Sequence, residues 1–118
     1  MMQFPQDQLD ELLSIYSEAK QHEEGGTPYF LIPDVELPGG ATPTVVDVLL
    51  RPVLTDGYDS RLFYSQQPTF SSRTCTETLN WNAINVHILT RNWFGFSWRT
   101  KPGLTLTQMV AMHLRALR

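Results

Sequence analysis

The spacing of hydrophobic residues changes several times along this 118-residue chain, and each change predicts an element. Leu9, Leu12, Leu13, Tyr16 and Ala19 recur at i, i+3, i+4 and i+7, which predicts a helix from Asp7 to about His22 with one apolar face. Asp7 suits the N-cap, Pro5 lies just before the start, and Gly25-Gly26 offers a left-handed stop. Asp10, Glu11, Glu18 and Lys20 occupy the opposite face, which reads as solvated.

Strand-like segments follow. Tyr29-Phe30-Leu31-Ile32 is a short apolar run ending at Pro33, and Val45-Val46-Asp47-Val48-Leu49-Leu50 is rich in β-branched residues and ends near Pro52. Pro38-Gly39-Gly40 separates them as a hairpin connection would, and the turn dipeptide Asp56-Gly57 introduces a third strand, Arg61-Leu62-Phe63-Tyr64. Residues Gln66 to Ala83 show little periodicity and read as a long irregular loop; Val86-His87-Ile88-Leu89 reads as a fourth short strand or a single turn. A last helix spans Thr105 to Leu117, opened by a Thr105-x-x-Gln108 capping box, with Leu106, Met109, Val110, His113, Leu114 and Leu117 as its buried stripe. A helix, an antiparallel meander of three to four strands, a long loop and a helix predict an α+β fold in a single domain over 1–118.

Composition narrows the function classes. A hydrophobic content of 42% with 11% aromatics fits a globular protein. A net charge of −3 without a basic run gives a phosphate backbone little to hold, so nucleic acid is not an expected partner. No apolar run reaches the ~20 residues of a membrane span, and the N-terminus lacks the apolar core of a signal peptide, so neither a membrane nor export is expected. A lone cysteine, Cys75, permits no intramolecular disulfide and suggests the cytoplasm. The three histidines are dispersed, no Cys-x-x-Cys occurs and no Gly-rich phosphate loop is present, so no metal and no cofactor are expected.

Three passages carry a family likeness: Phe70-Ser71-Ser72-Arg73; Asn85-Val86-His87-Ile88-Leu89 followed by Trp93; and Leu104-Thr105-Leu106. In this order they resemble the ubiquitin-conjugating (E2, UBC) enzymes. With Asp56-Gly57-Tyr58, Asn80-Trp81-Asn82-Ala83 and Phe96-Ser97-Trp98, the chain is similar to the bacterial branch called prokaryotic E2 family E. The resemblance implies a UBC core with a central helix and without the last helices of that fold. It further implies an E2-like role in a ubiquitin-like protein conjugation pathway, with a ubiquitin-like protein and an E1-like activating enzyme as partners.

Aligned without gaps, the family's nucleophile falls on Asn85 and its His-Pro-Asn tripeptide on Cys75-Thr76-Glu77. An amide cannot form a thioester, and an anionic Glu77 would repel an oxyanion, so transfer by the ordinary route is not expected. Two other residues carry suitable chemistry. Cys75 is the only thiol, and His87 offers an imidazole for general-base work and shares a strand face with Asn85. The catalytic candidates are therefore Cys75, His87 and Asn85, and the partner-binding candidates are Trp81, Asn82 and Phe94. The alternative reading is a non-catalytic E2-variant adaptor. His113, on the apolar stripe, reads as a hydrogen-bonded core residue.

Overall fold

The structure, a computed structural model, describes residues 4–38, 40–70 and 79–117. In chain order it contains α1 (Gln6–Ile15), β1 (Lys20–Glu24), β2 (Thr27–Glu36), β3 (Ala41–Thr42), β4 (Val45–Arg51), β5 (Arg61–Tyr64), β6 (Thr69–Phe70), β7 (Ala83–Ile88), β8 (Arg91–Gly95) and α2 (Leu106–Arg115). Six strands form one antiparallel sheet in the order β1-β2-β4-β5-β8-β7, and β3 pairs with β6 apart from it. The protein is therefore mostly β, with two ten-residue helices near its ends.

This overturns the α+β ubiquitin-conjugating fold that the sequence suggested, with its meander of three to four strands and central helix; much of the expected Gln66 to Ala83 loop lies outside the described residues. Two segments account for the difference. Lys20 to His22, expected to finish the first helix, belong instead to a strand of residues 20–24 that pairs with residues 27–31. Gly25 and Gly26 (φ +59° and +80°) act as a hairpin turn, because the left-handed region that ends a helix also matches the twist of a two-residue hairpin. The helix stops at Ile15, where Tyr16 leaves helical geometry at φ −122°. At the other end, the stretch expected to surround an active site is a strand pair, β7 with β8, that widens the sheet to six strands.

β2 also runs past Pro33. A bulge between Ile32 and Val35 takes up the proline, which has no N–H for the ladder, and Asp34 there lies at φ +54° with its N–H on Asp47 Oδ1 at 3.0 Å.

Alternation along the strands divides the core in two. Phe30, Ile32, Val46, Val48, Leu50, Leu62 and Tyr64 point to the face covered by both helices, where Leu12, Leu106, Val110 and Leu117 meet them. Tyr29, Leu49, Phe63, Ala83, Ile88 and Trp93 fill the other face. That second face is concave. Glu24 at the end of edge strand β1 accepts a hydrogen bond at 3.2 Å from the Leu89 N–H beyond the opposite edge strand β7, so the sheet curls into a half-barrel around Trp93.

α1 and α2 form one layer. Gln8 Oε1 accepts from the Leu106 N–H at 3.3 Å, and Glu11 Oε1 accepts from the Thr105 hydroxyl, which draws the expected capping box of α2 onto α1. No helix among the described residues is long and apolar enough to cross a membrane.

Candidate anion-binding site

Register places the most unusual pair of side chains in the molecule. Val48 faces Tyr64 and Leu50 faces Leu62, so Arg51 and Arg61 stand directly opposite each other at the ends of β4 and β5. By strand alternation both belong to the concave face with Leu49 and Phe63. Like charges opposite each other in a sheet repel, and a guanidinium taken out of water needs a partner. Arg51 is only 8% exposed.

Its hydrogen bond goes from Nη2 to the Thr55 carbonyl at 3.1 Å, and the Nε atoms of both arginines are buried without an acceptor among the described residues. Arg61 donates through Nη2 to Asn82 Oδ1. Burial lowers the pKa of both guanidiniums, and the charge of Arg51 lowers that of Arg61 further, while Tyr29 beside Arg51, Tyr58 beside Arg61 and Asp56 near both push the other way. Among the described residues one ion pair forms, Arg91 with Asp47 at 3.0 Å, and it involves neither of these arginines.

The turn between β4 and β5 completes the rim. Asp56 and Gly57 (φ +55° and +85°) form the tight turn that their sequence predicts, closed by reciprocal backbone bonds of 2.9 and 3.0 Å between Thr55 and Tyr58. The Tyr58 ring then lies under two guanidiniums, with Arg61 Cζ at 5.1 Å and Arg99 Cζ at 5.6 Å from its centroid. Phe63 also lies under Arg61, at 5.4 Å. These contacts hold the planar forks in place without neutralising them. Arg61 and Arg99 thus converge on one aromatic ring, with Arg51 opposite Arg61 in the sheet and the exposed amide of Asn82 alongside. Such an arrangement can hold an oxyanion by charge-assisted hydrogen bonds.

The residues chosen from sequence fall elsewhere, with one exception. Asn85 sits in the bulge of β7 at φ +55°, exposed; His87, also exposed, pairs with Asn92 across the hairpin at 3.3 Å from Nδ1 to Oδ1. Cys75 lies outside the described residues, so its distance from these two is not part of the geometry. Trp81 is half-buried against Tyr64 and Phe96, at 5.7 and 5.1 Å, and half-buried Phe94 faces Tyr64 across β8 and β5. Asn82 is the exception, through its bond to Arg61.

A serine-histidine pair also occurs, formed by Ser60 and His113 at 3.0 Å, with Thr100 2.9 Å from the same serine oxygen. Ser60 is 0% and His113 1% exposed, so neither meets a substrate. Among the described residues, no three His, Cys, Asp or Glu are placed to hold a metal ion. A groove of about 720 Å³, lined by Tyr16, Leu37, Leu114 and Arg115 among others, contains none of the rim residues.

Sequence reasoning missed Arg51, Arg61, Arg99 and Tyr58. No local signal marked the pair: symmetric pairing about Asp56-Gly57 would set Arg51 opposite Leu62, and only the observed register sets it opposite Arg61. No family model matches the chain, and no curated protein or solved structure matches it either.

Proposed function

We propose that this protein is a non-covalent recognition module that grips a carboxylate on an acidic segment of a partner protein at the Arg51, Arg61 and Arg99 rim. The observation that carries this reading is the placement of Arg51 opposite Arg61, one of them almost fully buried, with neither in ion-pair contact with a carboxylate among the described residues. A fold that bears this electrostatic cost in its free state recovers it when an anion docks.

The chain's own charge favours a local anion over a polyanion. At a net −3, with Asp56 beside the rim, a nucleic-acid backbone meets repulsion around the one favourable spot. A single carboxylate matches the guanidinium fork. The ubiquitin-like protein and the E1-like activating enzyme implied by the sequence resemblance are the first partners to try. The adaptor role fits this reading better than transfer does, since it needs no nucleophile.

A capped, fluorescently labelled Glu-rich peptide, with its Gln counterpart as control, tests the proposal by anisotropy at low ionic strength. Wild type is expected to bind the acidic peptide, to lose it as salt rises and to ignore the Gln version. Arg61→Gln and Arg51→Gln are each expected to weaken binding at least tenfold, about 1.4 kcal/mol or more. Undiminished binding in both variants removes the proposal. Covalent carriage on Cys75 is the rival, and a gel run without reductant after incubation with an E1-like enzyme, ATP and modifier separates the two. A thiol-labile adduct that disappears in Cys75→Ser would assign it.

A further inference from the structure

The buried Ser60, Thr100 and His113 chain acquires a purpose from where its members sit in the sequence. Ser60 immediately precedes Arg61, and Thr100 immediately follows Arg99. One serine oxygen, 2.9 Å from Thr100 Oγ1 and 3.0 Å from His113 Nε2, therefore ties together the two segments that deliver arginines to the Tyr58 ring, and ties both to α2. All three residues are buried, at 0%, 8% and 1% exposure, where such bonds are strong and their loss is costly.

Besides the packing of Trp98 on Phe96 and of Arg99 on Tyr58, the Arg99 segment has few bonds to fix it. Among the described residues, from Trp98 to Leu104 the Thr100 hydroxyl makes the only hydrogen bond, whereas Ser97 before it bonds to Asn80 and Thr105 after it belongs to the capping box. α2, by contrast, is well anchored, with Leu106 and Val110 at 0% exposure. α2 thus holds the Ser60 hydroxyl through one imidazole, and Ser60 in turn holds Thr100 in the sparsely bonded segment.

We infer that His113 is a positioning residue, which sets the distance between Arg61 and Arg99 through Ser60 and Thr100 and so sets the affinity of the rim for its carboxylate. This rests on the reading that the rim binds one. His113 itself touches no ligand, being sealed behind the strand that bears Arg61.

Two measurements test it, and the first needs no ligand. Nitrogen-bound Hε resonances of Arg61 and Arg99 in the free protein report their surroundings, and anisotropy with the Glu-rich peptide reports affinity. His113→Leu is expected to move both resonances and to weaken the peptide about tenfold, the scale of one buried hydrogen bond. His113→Gln, whose side-chain amide reaches roughly where Nε2 does, is expected to restore most of both. Thr100→Val keeps the shape of the core and cuts only one arm, so the Arg99 resonance should move while that of Arg61 stays; this variant decides the matter if His113→Leu does not fold. Unchanged resonances and affinity in folded His113→Leu, or in Thr100→Val if that is the variant that folds, overturn the inference. A wild type that binds no acidic peptide overturns the binding reading, and the resonances still show whether His113 holds the two arginines.

Discussion

The proton affinity of His113 follows from its position. Burial drives its pKa down from 6.5 to about 4; the charge of Arg61 pushes the same way, and the Ser60 contact opposes them. The unfolded chain therefore takes up this proton from about pH 6.5 downward, and the folded chain only below about 4. Stability from the neutral imidazole is complete above the first value and lost as pH falls toward the second. Between pH 7 and pH 5 the loss should reach about 2 kcal/mol. Urea melts at those two pH values check it: wild type should lose about that much more than His113→Gln, which has no proton to gain, and parallel losses would show that other groups set the acid limit. Tyr64 makes the opposite case. Its hydroxyl is buried with no partner among the described residues, and burial raises its pKa. Tyr64→Phe removes a polar group that gains nothing, so stability should hold or rise by up to about 1 kcal/mol, read as an upward shift in melting temperature.

At the scale of elements, sequence legibility depended on how far apart the interacting residues are. α2 was legible because its capping box, Thr105 with Gln108, and its stripe, Leu106, Val110 and His113, are signals within three or four residues. The Asp56-Gly57 turn was legible for the same reason. Leu9, Leu12 and Tyr16 did predict a helix, but periodicity could not show that β1 would pair with β2 rather than extend it, since Gly25-Gly26 serves either outcome. The β7–β8 hairpin was hidden because its turn breaks the usual chemistry. Leu89 and Thr90 both lie at positive φ, +51° and +66°, where Asn-Gly is the expected pair. Long-range contacts hold it there: the Leu89 N–H on Glu24, Leu89 against the concave core, and Trp93 Nε1 donating to the Ile88 carbonyl at 2.9 Å. The rim was illegible for a related reason, since Arg51 meets Arg61 only once the strand register is known. Relieving the turn has a measurable consequence. Thr90 is exposed, so Thr90→Gly should remove a left-handed penalty of about 1 kcal/mol without disturbing the core. Chemical denaturation should show the gain, and a loss would mean that the Thr90 hydroxyl, bonded to the Leu89 carbonyl, contributes more than the strain costs.

Across the whole molecule, the rim sets stability against recognition. The half-barrel is closed on both faces by apolar side chains, yet at one end of its concave face it places two guanidiniums side by side, where a pair of neutral residues would pack at lower cost. If that cost serves binding, removing it should make the free protein more stable and the liganded protein less so. Arg51→Met retains much of the side-chain volume and gives up the bond to Thr55 along with the charge. Relief of cross-strand repulsion and of desolvation should outweigh that bond, raising the unfolding free energy of the free protein by about 1–2 kcal/mol. Added Glu-rich peptide at a hundredfold excess over its Kd should stabilise wild type by about 2.7 kcal/mol and the variant hardly at all. Melting curves of both proteins, with and without peptide, give all four values, and opposite signs for the two changes are the mark of a binding site. A purely structural Arg51 would behave otherwise: Arg51→Met would destabilise the free protein and leave any peptide-induced shift in place, and the rim would then be a strained corner of the sheet rather than a place where a partner docks.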